Sequence, residues 1–335
     1  MKGRAHSKTK HMSVLKRYQG RSFLISTDLE TDDMVALYIL SKEIPSENIT
    51  FLVGEGNSGM KKLRMNKYVK KLGFKNATVI RGFSSEKMFP YDGYDLFSES
   101  FINQLNCNKE NVSYITKELY SFLKKKSPII ISLKPPRELL KLTTLYTDDI
   151  ISVFSKCVFF GYMSFNMRCL MKEYNHDHII TFLEAFKECY YYETFHAIGS
   201  VNTITDKDID MKKLPKIVYN VMKDWNRHMV ENCNKTCERY KDRKDKRGKA
   251  KYHRNKKALE DIQKSKGEQF VNADCGLIMS LLHDNPPYTK HRVEFDEKTG
   301  YSKFTQDGKI NVIQPIDKSE YRKFQILFLK KLLKC

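Results

Sequence analysis

The sequence predicts an α/β protein built on a doubly wound, mainly parallel sheet with helices on both faces. Two observations lead to this prediction. Short, continuous apolar runs such as SFLIST (22–27) recur along the chain, and segments of helical length and pattern separate them. Strands that are apolar throughout are typical of a parallel sheet buried on both faces. Right-handed crossovers between such strands give a doubly wound sheet.

The elements follow a regular order through the first half of the chain. Each apolar run precedes a helical segment: SFLIST (22–27) precedes TDDMVALYILSKE, ITFLVGEG (49–56) precedes SGMKKLRMNKYVKKLG, ATVIRG (77–82) precedes NVSYITKELYSFLKKK, PIIISL (128–133) precedes PRELLKLTTLY, and CVFFGY (157–162) precedes a helical stretch around HIITFLEAFKECYYY. These five pairs predict alternating strands and helices.

The second half changes character at about Asn234, where a basic segment begins, and returns to an apolar helix at ADCGLIMSLL. Short strand candidates follow in HRVEFDEKTG, YSKFTQDGK and NVIQPID, before a last helix in SEYRKFQILFLKKLL. One domain is the default for an α/β chain of 335 residues. We therefore predict a basic N-terminal tail at 1–21 and a single domain at 22–335, with a basic helical insertion at about 234–267.

The composition is that of a globular protein, with 41% hydrophobic and 12% aromatic residues. No stretch approaches the roughly 20 apolar residues that cross a bilayer, so no membrane partner is expected. The basic N-terminus lacks the apolar core of a secretory signal, and we expect an intracellular protein, cytoplasmic or nuclear. The eight cysteines are expected to be buried thiols. A zinc site on Cys233, Cys237 and His253 is disfavoured because no fourth ligand stands at a suitable spacing.

The formal charge of +20 is concentrated in the basic segment, where fourteen Lys or Arg stand against five Asp or Glu between Lys235 and Lys266. Such a surface attracts nucleic acid or another polyanion through a salt-sensitive field. A solvated helical face without a ligand explains the same pattern equally well. The residues that would bind a polyanion are Lys241, Arg243, Lys244, Lys246, Arg247, Lys249, Lys251, Arg254, Lys256 and Lys257.

Polar residues stand where the predicted strands end. Asp28 follows the first strand, and Asp32 and Asp33 open the helix after it. The second strand leads to Asn57, the fourth ends at Leu133-Lys134-Pro135, and the fifth leads to Asn166 and then to Glu173 and Asn175. Ligands of an open parallel sheet bind beyond the carboxyl ends of its strands, so these residues mark the predicted site. Acids in a first helical turn are also a common structural feature, because they complement the helix dipole.

The carboxylates at the first strand end predict a cation site. Asp28 at the end of an apolar strand is costly unless a charged partner or a cation meets it. Asp32 and Asp33 crowd the same place, and neither Cys nor His stands close to them in the sequence. Ligand sets made only of oxygen suit a hard ion such as Ca²⁺ or Mg²⁺.

The order of these motifs resembles that of the inosine–uridine-type nucleoside hydrolases, from about Arg21 to Leu333. The family's D-x-D-P-G-x-D-D signature is matched by Ser26-Thr27-Asp28-Leu29-Glu30-Thr31-Asp32-Asp33. The family's Gly-Asn, Gly-Pro, Gly…Asn, Glu-Phe-Asn and late His-Asp are matched, in order, by Gly56-Asn57, Lys134-Pro135, Gly161…Asn166, Glu173-Tyr174-Asn175 and Ala273-Asp274. The last strand and helix of the family also resemble the C-terminal segment that begins NVIQPID.

The resemblance implies Ca²⁺-dependent hydrolysis of the N-glycosidic bond in a ribonucleoside or a related N-riboside. It implies that the metal ligands are Asp28, Asp33, Asp274 and the backbone carbonyl of Leu133, and that Asp28 acts as general base for a metal-bound water. The residues implied to bind the ribose hydroxyls are Asp32, Asn57, Asn166, Glu173, Asn175 and Asp274. Relatives of this kind are often homo-oligomers, so self-association is a further expectation.

Three departures from the family pattern bear on turnover. Ser26 replaces the first aspartate, Leu29-Glu30 replaces Pro-Gly, and Ala273 replaces the late histidine. In part of the family that histidine assists departure of the base, and a positioned acid is typically worth about 10²–10⁴-fold in rate.

The leaving-group acid is therefore open. His176, His178 and His283 are candidates, and stacking of the base on Trp225 or Tyr252 is an alternative to an acid. A second hypothesis is a catalytically weakened or inactive protein of hydrolase fold that binds a polyanion through its basic insertion. A metal-dependent phosphoryl-transfer enzyme ranks lower, since no Gly-rich phosphate loop accompanies the acids.

Overall fold

A computed structural model describes most of the chain. The described residues are 18, 20–84, 112–162, 170–192, 203–271, 273–282, 288–295, 302–305, 310–315 and 318–334. The predicted site residue Asn166 and the candidate acid His283 lie outside them, as does nearly all of the predicted tail at 1–21.

Eleven strands are described, and the first five match the apolar runs of the sequence. They are β1 (Phe23–Thr27), β2 (Ile49–Val53), β3 (Thr78–Arg81), β4 (Ile129–Ser132), β5 (Val158–Tyr162), β6 (Glu188–Tyr192), β7 (Thr203–Thr205), β8 (Gln269–Val271), β9 (Tyr288–Phe295), β10 (Ser302–Phe304) and β11 (Ile310–Pro315).

Nine α-helices are described, together with short 3₁₀ turns at Ser46–Asn48 and Met211–Lys213. The helices are α1 (Thr31–Leu40), α2 (Ser58–Lys71), α3 (Val112–Lys126), α4 (Arg137–Phe154), α5 (His176–Glu184), α6 (Lys216–Tyr240), α7 (Lys246–Lys264), α8 (Ala273–Leu282) and α9 (Lys318–Lys334). No helix within the described ranges is long and apolar enough to cross a membrane.

Seven strands form a parallel sheet in the order β3-β2-β1-β4-β5-β6-β11. Strands β9 and β10 extend its β11 edge in antiparallel pairing, and β7 and β8 form a separate two-stranded ribbon. The prediction of a doubly wound, mainly parallel sheet is confirmed. The strand order reverses between β1 and β4, so a crevice is expected at the carboxyl ends of these two strands.

The two faces of the sheet carry separate cores, because successive side chains of a strand point to opposite faces. In β1, Phe23 and Ile25 belong to a core shared with α1, α2, α6, α8 and α9. Leu24 belongs to the core shared with α3, α4 and α5. Helices therefore cover both faces, which explains why the strands are apolar throughout.

One prediction of local structure is wrong. The helical stretch around HIITFLEAFKECYYY ends at Glu184, and Glu188–Tyr192 forms β6 between β5 and β11. The tyrosines favour a strand because large aromatic side chains pack well on a buried sheet surface. Tyr190 stacks on Phe160 of the neighbouring strand at 5.0 Å between ring centroids.

The basic segment is helical, as predicted, and forms a hairpin of two packed helices, α6 and α7. Helix α6 runs without a break through Asn234, so the change in charge does not coincide with a helix boundary. The description of 234–267 as an insertion stays a prediction.

Candidate active site

The turn after β1 is strained. Asp28 follows the strand, and Leu29 adopts a left-handed backbone conformation with φ 59° before α1 begins at Thr31. This conformation costs a residue with a side chain about 1–2 kcal/mol, and Leu29 is fully buried, so packing must hold it in place. Glu55 repeats the feature after β2 with φ 62°. Strain of this kind is concentrated at functional sites.

Asp33 is fixed between β1 and the turn. The Thr27 hydroxyl donates a hydrogen bond to Oδ1 of Asp33, and the Glu30 backbone N–H donates to Oδ2 at 3.2 Å. Asp33 is only 1% exposed. Its carboxylate is therefore held in one orientation within the first turn of α1.

Asp274 reaches the same place from the other end of the chain. It lies in the first turn of α8, which packs against α1. Its side chain hydrogen-bonds Asp33, and its backbone N–H donates to Asp32. One oxygen from each of Asp32, Asp33 and Asp274 lies within 4.8 Å of the others. We call these residues, with the neighbouring Asp28, the acid cluster.

The acid cluster differs in one detail from the predicted metal set of Asp28, Asp33 and Asp274. Asp32, predicted as a ribose ligand, completes the group of three closest oxygens. Asp28 stands beside the group, where its charge raises the pKa of both Asp32 and Asp33. All four predicted aspartates are thus brought together.

The electrostatics of the acid cluster favour a bound cation. Burial, then the charge of Asp28, raises the pKa of Asp32 to about 7. Burial, then the charges of Asp274, Asp28 and Asp32, raises the pKa of Asp33 well above its ordinary value. The largest charge effects on the pKa of these two groups come from other carboxylates. A donor set of carboxylate oxygens fits a hard divalent cation such as Ca²⁺.

A second group of charges at the same edge is internally paired. Lys134 Nζ lies 2.6 Å from Glu138 Oε2, and both side chains are almost fully buried. Glu138 also accepts from the Phe83 N–H at 2.8 Å. A Cβ at Gly54 or Gly82 would collide with the Glu138 carboxylate, so a side chain at either position would force this carboxylate to shift.

Arg137 joins two further carboxylates. Its Nη1 contacts both carboxylate oxygens of Glu55, at 2.6 and 2.5 Å, and its Nε lies 2.7 Å from Glu173 Oε1. Burial raises the pKa of Glu55, while the charges of Lys134 and Arg137 oppose that rise. We call Glu55, Lys134, Arg137, Glu138 and Glu173 the ion-pair cluster. Asp28 also acts on the Glu55 carboxylate, so the two clusters adjoin.

The overall fold is similar to that of a solved nucleoside hydrolase. The chain superposes on a plant nucleoside hydrolase, the PpNRh1 enzyme, with a TM-score of 0.56 and 12% sequence identity, covering 92% of this chain and 99% of that one. The chain has the nucleoside hydrolase fold. An inosine–guanosine nucleoside hydrolase gives a TM-score of 0.49 at 14% identity, over 91% and 98% of the two chains. No protein-family model and no curated protein matches the sequence significantly.

Two predicted ribose-binding residues outside the acid cluster, Asn57 and Asn175, stand at helix starts within this fold. Asn57 caps α2 through a hydrogen bond from Met60 N–H at 3.0 Å, and Asn175 caps α5 through one from His178 N–H at 2.8 Å. The caps fix both amide groups at helix starts. Glu173 is held by Arg137, as described above.

The end of β4 meets β1 at the predicted carbonyl ligand. The Leu133 N–H donates to the Ser26 carbonyl at 2.8 Å, which extends the pairing of the two strands by one residue. The Ser26 side chain is fully buried, and its hydroxyl has no hydrogen-bond partner among the described residues. A small hydroxyl thus stands where the family signature has its first aspartate.

The candidates for leaving-group acid occupy different environments. His178 Nε2 lies 2.6 Å from the Thr143 hydroxyl and its ring is near Tyr174, whereas His176 faces the exposed Asp177 at 3.5 Å. Trp225 is half-buried on α6, and Tyr252 lies on α7. No contact among these assigns the role to one residue.

The sequence pattern predicts only Glu173 of the ion-pair cluster as a site residue, and predicts it as a ribose ligand. Lys134 stands at the glycine of the family's Gly-Pro, Arg137 and Glu138 belong to a predicted helix start, and Glu55 is the residue before Gly56 in the motif. Lys134 precedes α4, which begins at Arg137, so helical spacing does not predict its pairing with Glu138. Arg137 contacts Glu55 and Glu173 because the folded sheet brings three separate segments together, and the sequence pattern does not predict which segments become neighbours.

Proposed function

We propose that this protein is an N-ribosyl hydrolase of the inosine–uridine type, which cleaves the N-glycosidic bond of a ribonucleoside or a related N-riboside with the help of Ca²⁺. The observation that carries the proposal is the meeting of Asp33 and Asp274 at the carboxyl edge of a nucleoside hydrolase fold. These two acids lie far apart in the sequence and share a buried hydrogen bond. Capping of a helix by a nearby residue does not explain such a contact.

In this proposal the acid cluster performs two tasks. Asp33 and Asp274, with Asp28 and the Leu133 carbonyl, would hold the ion. A bound divalent ion would orient the ribose hydroxyls and make a water molecule more acidic. Asp28, the predicted general base, would accept the proton of that water. The surrounding negative charge would stabilise the oxocarbenium-like sugar that forms as the base departs.

The ribose would be recognised by polar groups that the fold already holds in place. Asp32, Asn57, Glu173, Asn175 and Asp274 would bind its hydroxyls, together with Asn166. A site built to bond hydroxyl groups rejects analogues that lack them, because its buried polar groups are then left without partners. We therefore expect ribosides to be cleaved in strong preference to 2′-deoxyribosides.

The activity is tested by incubating purified protein with a panel of purine and pyrimidine ribonucleosides, in Ca²⁺ or in EDTA, and measuring released base by chromatography. Release that requires Ca²⁺ is expected. Asp28→Asn should lower the rate by about 10²–10⁴-fold, the usual contribution of a general base. Asp149→Asn, an acid on the exposed surface of α4, is the matched control and should leave the rate unchanged.

Two results would reject the proposal. One is failure to release base from any riboside in either condition. The other is release at the same rate by the wild-type protein and Asp28→Asn, which would place the activity elsewhere or in a contaminant.

A further inference from the structure

Nine of the ten basic residues predicted to bind a polyanion fall into two groups, and the tenth, Lys244, is exposed between α6 and α7. Three of them are engaged within the hairpin: Lys241 pairs with Glu238 at 2.9 Å, Arg243 pairs with Asp245 at 2.8 Å, and Lys251 lies over the Tyr240 ring at 4.9 Å. The two ion pairs reduce the charge available at the hairpin tip, and the ring contact holds Lys251 against Tyr240.

The second group forms a surface on α7. Its members are all exposed, and we call them the cationic face: Lys246, Arg247, Lys249, Arg254, Lys256 and Lys257. Within the described ranges, none of the six forms an ion pair with a carboxylate. The sequence between Lys246 and Lys257 contains no acid. The face therefore carries unbalanced positive charge.

The geometry of an α-helix spreads these charges over half of its surface. At 3.6 residues per turn, Lys249 and Lys256 form one row, and Arg247 and Arg254 form a second row roughly 140–160° around the helix. Lys246 and Lys257 fall between the rows. The opposite side buries Gly248, Leu259 and Ile262.

The hairpin presents this face on a rigid support. Helices α6 and α7 pack along each other, and Asp245 caps α7 by accepting from the Gly248 N–H at 2.8 Å. Near the other end of α7, the Asn226 amide donates to the Gly267 and Gln269 carbonyls at 3.0 and 2.7 Å. The start of α7 is thus capped by its own Asp245, and the segment that follows its other end is tied to α6.

We propose that the cationic face of α7 binds duplex DNA along its major groove through phosphate contacts, without sequence preference. A helix about 10–12 Å across fits a major groove about 12 Å wide. Phosphates line both walls of the groove, and the two rows of cations point toward opposite walls. The face extends over about 16 Å of helix, which corresponds to about five phosphates along one strand.

The shape and composition of the cationic face fit anionic membranes and duplex RNA less well than duplex DNA. A helix that lies on an anionic membrane needs apolar side chains facing the lipid, and the large exposed hydrophobic residues recorded for the described chain all lie outside α7. Duplex RNA has a deep, narrow major groove that does not admit a helix. Duplex DNA is therefore the partner that the shape and charge of the face fit together.

The proposal is tested by fluorescence anisotropy with a labelled duplex DNA of mixed sequence, over 50 to 200 mM NaCl. The test variant is the triple change K249Q/R254Q/K257Q. The control is K124Q/K125Q/K126Q, which removes the same charge from three exposed lysines at the end of α3. Glutamine is a good helix former, so both variants should keep their helix content, which circular dichroism checks.

Salt-dependent binding by the wild-type chain is expected. Each lost phosphate contact lowers the slope of log K against log salt by about 0.9, so the α7 variant should lose about 2–3 units of slope and at least tenfold in affinity at 50 mM. The α3 control should change the affinity by less than about threefold.

Several outcomes would overturn the proposal. These are absence of binding at 50 mM NaCl, equal losses in the two triple variants, binding to duplex RNA as tight as to duplex DNA, or binding to vesicles of anionic lipid in place of DNA. Nucleoside hydrolysis by the α7 variant is measured in parallel and should be unchanged. Failure of DNA binding therefore leaves the proposed hydrolase activity untouched.

Discussion

The acid cluster and the ion-pair cluster lie at the same edge of the same sheet and solve the problem of buried charge in opposite ways. In the ion-pair cluster, Lys134 and Arg137 meet the carboxylates of Glu138, Glu55 and Glu173 directly. In the acid cluster, the charges that raise the pKa of Asp33 most are those of other carboxylates, and Asp33 hydrogen-bonds Asp274.

The difference separates structural charge from a binding site. A buried ion pair is complete in itself, and removal of one partner leaves a costly charge behind. A buried set of like charges is incomplete without protons or a cation, because desolvation and repulsion both oppose ionisation. We infer that the first cluster shapes the crevice and that the second binds the ligand. Predictions that compare the two clusters follow from this assignment.

The largest effect is expected in the ion-pair cluster. Glu138→Gln keeps an acceptor for the Phe83 N–H but leaves Lys134 without its partner, so the free energy of unfolding should fall by about 3–5 kcal/mol. Urea denaturation measures it. The double variant K134M/E138Q removes both charges and should recover most of the loss. If the double variant lost as much free energy of unfolding as Glu138→Gln, the unpaired charge of Lys134 would not be the cause of the loss.

A smaller loss is expected at Arg137. Arg137→Met removes the partner of Glu55, whose side chain is 11% exposed, and should cost about 2 kcal/mol in the same denaturation experiment. Arg137→Lys keeps the charge but not the forked geometry and should fall between wild type and Arg137→Met. Equal stability of all three proteins would mean that the bridge between Glu55 and Glu173 is not formed.

In the acid cluster, removal of a charge should stabilise the cation-free protein instead of destabilising it. Asp33→Asn removes a buried like charge and should raise the free energy of unfolding of the cation-free protein at pH 8 by about 1–2 kcal/mol. The same change should abolish any stabilisation by added Ca²⁺. Thermal unfolding in EDTA and in Ca²⁺ tests both statements. Destabilisation in EDTA, comparable to that of Glu138→Gln, would contradict the contrast between the clusters.

The smallest effect is the pH dependence of cation binding. The pKa of Asp32 rises from 3.8 to about 7 on folding, so the cation-free folded state holds more protons than the unfolded state. Its contribution to stability is present below pH 4 and is lost as the pH rises toward 7. Ca²⁺ must displace the Asp32 proton, so its stabilising effect should grow by about 1 kcal/mol from pH 6 to pH 7 and level off above pH 7. A cation effect independent of pH would exclude Asp32 from the site.

The fold could be predicted because each strand of a parallel sheet is apolar throughout. The runs that became β1 to β5 stood out for this reason. The prediction failed at β6, where ECYYY directly follows a short helix and a period of two cannot be seen in three adjacent tyrosines. The order of strands was not predicted, because general rules of chain crossing specify the class of sheet and no particular order.

The acid cluster could be predicted from motif order, since strand ends meet at one edge of the sheet. Its inner arrangement could not be, because the left-handed turn at Leu29 decides how Asp28 stands relative to Asp32 and Asp33. Leucine gives no sequence signal for such a turn, whereas glycine does. The ion-pair cluster was missed for a related reason: Arg137 meets Glu55 and Glu173 only after three separate segments have packed.

A calorimetric titration of Ca²⁺ into the chelator-treated protein at pH 8 tests the central claim most directly. The account predicts one ion bound per chain, with binding lost in Asp274→Asn and retained in the surface control Asp149→Asn. Failure of the wild-type protein to bind Ca²⁺, or equal binding by Asp274→Asn, would contradict it.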